Sequence, residues 1–265
     1  MTDRITDPVA TSAPASAYPG GIRRALVRAF DALAVSYRLV LGQMRSTGRV
    51  VALLLLSLTA TVAGFAVGTS DTASIDDAAA VIANLGFAVV IPVVCLVFAG
   101  GAIGDLREDK TLVYLWLRPM HRWPIVVGAA LAALTMATPI ILPAVIAAAV
   151  LTGAGGGIVS ATLLATIVGI ITYTSIFTML GVWLKRHIVW GLAYILIWEG
   201  FIALGGPGVA QFAIRTYTRS IVVDRTGADL TGANFSTLTA VLVPLAVSVV
   251  ALALGSWRLA HQDVD

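Results

Sequence analysis

The chain has 265 residues, of which 58% are hydrophobic and only 12% charged, with a formal net charge of +3 and a mean hydropathy of +0.94. An ordinary soluble domain carries roughly a quarter charged residues, so that class is excluded. Uncharged runs of roughly eighteen residues or more recur, each enough to cross a ~30 Å hydrocarbon core as a helix, and their continuous apolar character excludes a transmembrane β-barrel. The one cysteine, Cys95, lies in an apolar run, so neither an intrachain disulfide nor a cysteine-built metal site can form.

Residues 1–21 are small and polar, with Pro14, Pro19, Gly20 and Gly21 and no apolar core. They read as a disordered cytoplasmic tail and not as a cleaved signal peptide. Over 22–47, Ile22, Leu26, Phe30, Leu33, Tyr37, Leu41 and Met44 recur every three or four residues, while Arg24, Arg28, Asp31, Arg38, Arg45 and, just beyond, Arg49 form the opposite stripe. This spacing predicts an amphipathic helix along the cytoplasmic surface, with its arginine face toward anionic headgroups.

Residues 48–265 read as a six-span transmembrane domain. The spans are Val50 to Val67, Ala78 to Ile103, Trp123 to Leu151, Ile158 to Leu184, Ile188 to Gly205 and Phe235 to Trp257. Of the 17 Lys and Arg residues, fourteen fall in the two termini and in the second and fourth loops. By the positive-inside rule both termini and those loops are cytoplasmic. The first loop, with Asp71, Asp76 and Asp77, and the third, Gly153 to Gly157, are then short outer connections. The fifth loop, Gly206 to Asn234, is longer and keeps a helical apolar spacing at Val209, Phe212, Ala213, Thr216, Tyr217 and Ile221, with Arg215 and Arg219 on the other side. It predicts an interfacial or re-entrant helix at the outer surface, after the break at Gly205-Gly206-Pro207-Gly208. Pro92, Pro139 and Pro143 are expected to kink the second and third spans. Gly64-x-x-x-Gly68 and Gly100-x-x-x-Gly104 permit close helix packing.

Catalytic signatures are missing. Lys110 and Lys185 follow Asp109 and Leu184, so neither belongs to a phosphate-cradling Gly-Lys-Ser/Thr loop. His121, His187 and His261 stand apart at the cytoplasmic ends of spans, without metal-ligand spacing, and read as interface histidines. No Gly-x-Ser-x-Gly elbow occurs. The basic pI, about 9.3, follows from the cytoplasmic arginines and implies no nucleic-acid partner.

The second loop concentrates charge of both signs. Asp105, Arg107, Glu108, Asp109 and Lys110 precede Thr111, then Leu112, Leu115 and Trp116 form an apolar ridge, and Arg118, Pro119 and Arg122 lead into the next span. A mixed-charge helix with an apolar edge at a membrane face suits a soluble partner, because charges set register and Trp or Leu anchors supply burial. Pro119 stops that helix.

This segment resembles the ABC-2 type permeases, the membrane subunits of bacterial ATP-binding-cassette exporters. The resemblance is carried by the acidic Glu108-Asp109, by Thr111-Leu112, and by Leu115-Trp116-Leu117-Arg118-Pro119 followed by Arg122. Tyr194-Ile195-Leu196-Ile197-Trp198-Glu199-Gly200 and Ile214-Arg215-Thr216-Tyr217 are similar to the fifth-span and outer-helix segments of one bacterial subgroup. The likeness covers about residues 22 to 260; it departs at Lys110, where the family often has glycine, and near Gly128, where it often has lysine.

The resemblance implies a permease that dimerises with itself or a paralogue in the bacterial cell membrane and binds two copies of a separate cytoplasmic ATPase, on which ATP and Mg are bound. It implies no cofactor on this chain and no enzymatic activity of its own. Loop two would be the coupling helix, residues 22–47 the connecting helix beside it, and spans two and five would border the path of an unidentified exported substrate. An ion-coupled secondary transporter and a non-transporting scaffold for a soluble partner are the alternatives. Glu199 is the one carboxyl within a span. Its burial cancels much of that span's insertion energy, so it is expected to face protein or water, either toward the dimer cavity or bonding helix ends near Gly205 to Gly208.

Overall fold

The computed structural model describes residues 21–71, 74–108, 122–155, 157–200, 207–230, 232 and 235–261, and among these there is no β-strand. Five helices are long and apolar enough to cross a membrane. After α1 (Gly21–Gln43) these are α2 (Thr47–Gly68), α3 (Ile75–Asp105), α4 (Trp123–Leu151), α5 (Ile158–Trp183) and, last in the chain, α9 (Thr237–Ala260). Between α5 and α9 come α6 (His187–Glu199), the single turn α7 (Pro207–Ala210) and α8 (Ile214–Thr226).

Burial orders the bundle. In α3, α4 and α5 more than half of the apolar window is buried, and in α2 and α9 less than a third. The outward faces of α2 and α9 carry Leu54, Leu55, Phe65, Leu242 and Val249, fully apolar and exposed, as a hydrocarbon-facing surface requires. Gly64 and Gly68 let α2 approach the backbone of α4 at Ala148 and Leu151, where a Cβ would overlap main-chain atoms.

One end of the bundle is basic. There Arg49 of α2 pairs with Asp105 of α3 at 3.2 Å, and Arg122 donates to the carbonyl of Leu259 at 2.9 Å, tying the start of α4 to the end of α9. The opposite end is held by acidic side chains. The backbone N–H of Asp229 donates to Asp76 at 2.7 Å, and Asp224 accepts from the backbone and hydroxyl of Thr237 at 2.8 and 2.6 Å.

α3 is continuous, but its ladder widens to π geometry over Ile82–Val90 and Leu96–Gly100. The first π stretch ends beside Pro92, which has no N–H for the α-helical ladder to use. α4, by contrast, runs as one helix through Pro139 and Pro143.

α1 packs lengthwise on α4. Its buried stripe is Ala32, Ser36, Val40 and Met44, and Leu33, Ser36 and Tyr37 close over Gly128. The Tyr37 hydroxyl bonds Thr135 at 3.2 Å, twelve residues beyond Trp123 and so about 18 Å along α4. One side of the helix thus docks on protein. At Gly128 its seam is made by the small Ala32 and Ser36; of the expected stripe Met44 is buried and Phe30 exposed.

α6 and α8 are two short helices in series. α6 climbs from the basic end to Glu199, which lies beside Tyr173, fifteen residues from the start of α5 and so about 22 Å below the opposite end. α8 begins at that level, with Ile214 bonded to Glu199. It then passes Gly169 with Thr218, bonds Asn84 through Arg219 at 2.5 Å, and reaches the opposite end at Asp224. Of the two forms expected for this segment, interfacial or re-entrant, the helix departs from the interfacial one, since it starts deep in the bundle. Ile214, Thr216, Tyr217, Thr218, Ser220, Ile221 and Val222 are all buried. So polar a sequence can be buried because its hydroxyls bond its own carbonyls: Ser220 to Thr216 at 2.8 Å and Thr218 to Arg215 at 3.0 Å.

Candidate functional site

Among the described residues, polar side chains interrupt the apolar bundle at its middle and at its basic end. At the middle lies Glu199, 2% exposed. Its carboxylate accepts from the Tyr173 hydroxyl on one oxygen, and on the other from the Tyr194 hydroxyl at 3.0 Å and the backbone N–H of Ile214 at 3.3 Å. Tyr194 reaches Glu199 because Tyr194–Glu199 is a π stretch, whose i to i+5 bonding, seen in Gly200 N–H to Ile195 carbonyl at 2.9 Å, brings residues five apart onto one face. Phe177 stacks on Tyr173 and meets Tyr194 edge-on, with ring centres 5.9 and 6.1 Å apart, which fixes both phenols.

The Ile214 bond gives this cluster a structural consequence. The first N–H groups of a helix have no partner within it and carry the positive end of its dipole. At α8 the residue before the helix, Ala213, offers no side-chain cap; the carboxylate of another helix supplies it. Glu199 thus joins the end of α6 to the start of α8 and to the middle of α5.

A groove of about 660 Å³ opens beside this joint, walled by Ile176 and Met179 of α5, Tyr194 and Phe212 next to the break, and Val247 and Val250 of α9. Its lining is mainly apolar, with Tyr194, Gln211 and Tyr217 as the polar side chains. The size is ordinary for a small-molecule or lipid-chain site.

At the basic end His187 is not the exposed interface residue its position suggested. It is 2% exposed, its ring pressed against Gly100 and Gly104 of α3, and its Nε2 lies 3.9 Å from Asp105. A Cβ at residue 104 would overlap that ring, and one at Gly181 would strike the Gly100 carbonyl, so α3, α5 and α6 meet here only because these positions are glycine. Asp105 and Arg49 are each about a third exposed, so their pair contributes modestly to stability.

Of the residues expected to couple to a partner, Asp105 and Arg122 lie at this end. Asp105 and Arg122 flank the second loop and are anchored as described. Arg107 and Glu108 lie in the last turn of the helix Gly101–Glu108, their side chains outside the described residues. Asp109, Lys110, Thr111, Leu112, Leu115, Trp116 and Arg118 also lie outside them. On α1, Arg38 and Arg45 are exposed, and the side chains of Arg24 and Arg28 fall outside the description.

The sequence singles out Glu199, and marks Arg49 only as part of a basic stripe and Tyr194 only as part of a longer segment; it marks neither Tyr173 nor the burial of His187. The spacing of Tyr194 and Glu199 was a usable signal only to a reader expecting π geometry, and Tyr173 on another helix left none. No protein-family model matches the chain, and no curated protein matches it significantly.

Proposed function

We propose that the chain is the permease subunit of an ATP-driven exporter, a multi-pass protein of the bacterial cell membrane. It would act as a dimer, with itself or a paralogue, and be coupled through residues 105–122 to a separate cytoplasmic ATPase that binds ATP and Mg. The observation that carries this reading is the charged and aromatic run of the second loop, with its likeness to ABC-2 permeases, between two helices whose ends are tied to the bundle at Asp105 and Arg122. In this reading both termini are cytoplasmic and there are six crossings. The fifth is divided, α6 traversing the basic half and α8 the other, in place of one helix over 188–205.

The test is to find whether a neighbouring reading frame encodes a Walker-A ATPase and to reconstitute the chain with it. Glu108→Lys with Asp109→Lys should cut recovery of the complex at least about tenfold while the permease melts unchanged, since like charges across a docking interface are repulsive. A fully coupled complex carrying both reversals would refute the docking assignment.

One observation favours a second reading. A broken helix with a buried carboxylate at the break is a feature of ion-coupled transporters. Transport driven by an imposed proton or sodium gradient without ATP would select it.

A further inference from the structure

The groove beside the break has a definite direction. Its α9 wall is the stripe Val243, Val247, Val250, Ala251 and Leu254, eleven residues from first to last and so about 16 Å long. Its α5 wall is Ile176 and Met179. Continuing each stripe by one turn toward the basic end gives Arg258 on α9 and Trp183 on α5. These two meet: the Arg258 guanidinium lies 5.9 Å from the centre of the Trp183 ring.

At mid-depth the groove passes Phe212 and Tyr194, where the Tyr194 hydroxyl is engaged by Glu199 and the Tyr217 hydroxyl by the Gln211 carbonyl. The basic mouth differs in chemistry. Arg258, Lys185 and Arg186 are exposed there, and Trp183 and Trp257 are 44% and 56% exposed. Exposed indoles beside exposed cations at the end of an apolar channel are what a headgroup boundary requires. Among the described residues bordering the mouth no carboxylate faces them; Asp105, on α3, is engaged by Arg49 of α2.

We propose that this groove holds one acyl chain of an anionic phospholipid from the leaflet at the basic end, with the phosphate at Arg258. The chain lies along Leu254, Val250 and Val247 and ends beneath Phe212. The guanidinium, held over Trp183, presents its free N–H groups to the phosphate oxygens. The lipid is bound as a resident of the fold between α5, the α6–α8 joint and α9. This site is independent of the coupling loop and of the exporter reading.

The experiment uses the full-length chain in nanodiscs containing phosphatidylglycerol with a diazirine near the end of one acyl chain. Peptides should be cross-linked preferentially at 243–254 and at 176–179, over the equally apolar outward face of α2. Excess unlabelled phosphatidylglycerol should compete about five-fold better than phosphatidylcholine. Arg258→Gln, an exposed substitution that leaves the bundle intact, should remove that preference while cross-linking persists. Val247→Trp, which fills the groove, should abolish the groove cross-links in a protein that still elutes as a single species. Equal labelling of α2 and the groove, or equal competition by the two lipids, would overturn the proposal. So would protein-to-protein cross-links at 243–254, which would show a second copy as the occupant, or groove labelling only by an exported amphiphile.

Discussion

Glu199 accepts every hydrogen bond that the surrounding groups direct at it, so the consequences of replacing it can be worked out donor by donor. Leucine would leave the hydroxyls of Tyr173 and Tyr194 and the N–H of Ile214 without an acceptor in a dry site. Each such loss costs about 1 to 3 kcal/mol, so Glu199→Leu should destabilise by roughly 3 kcal/mol or more. For a chain of this size that is a fall in Tm on the order of 10 °C. Glutamine keeps the shape and one acceptor oxygen, so Glu199→Gln should lose less than half as much. Thermal unfolding in detergent measures both, and a leucine variant that melts with the parent would show that the three donors do not depend on this carboxylate.

Among the elements, α8 is secured at both ends by carboxylates from outside itself or reaching outside itself: Glu199 at its start and its own Asp224 reaching the first turn of α9. Asp224 lies at the exposed end, where the Thr237 hydroxyl, and next the Thr237 N–H, hold its carboxyl below the ordinary aspartate value. A carboxyl lowered on folding adds stability above its unfolded pKa, and that stability is lost as pH falls through the lowered value. Hydrogen exchange at Thr237 should therefore be slower in the parent than in Asp224→Asn near neutrality. The difference should vanish as pH drops from about 5 to about 2. If it persists at the acid limit, the carboxylate is not the cap. The five long helices were legible because an uncharged apolar run reports its own burial. The path of α8 was not, because it depends on a bond from Glu199 to a backbone N–H fifteen residues later and on hydroxyls that satisfy themselves. Likewise the periodicity of α1 marked its large apolar residues, whereas the seam with α4 is set by Ala32, Ser36 and Gly128, whose smallness matters and whose hydropathy does not.

For the whole molecule, the bonds at the two ends make topology testable without regard to function. Asp76 and Asp229 touch, so cysteines placed there must label from the same side. With the basic end cytoplasmic, both should react with an impermeant maleimide from outside, and Lys185→Cys or Arg118→Cys only after permeabilisation. The native Cys95 is fully buried and will not contribute. The reverse pattern would invert the protein in the membrane.

If α6 and α8 together make one crossing, as proposed, that division also constrains how the protein is made. α6 has thirteen residues, about 20 Å against a hydrocarbon core of about 30 Å, and it carries a carboxylate one of whose partners, the N–H of Ile214, emerges from the ribosome later. Presented alone to the insertion machinery it is too short and too polar to be released into lipid. It must wait against α5 until α8 arrives. A nascent chain arrested so that Gln211 has just emerged should leave residues after His187 accessible from the cytoplasm, whereas one arrested beyond Ala260 should have Asp229 sealed on the far side. The crossing would thus be completed as a pair, at a moment set by the synthesis of α8.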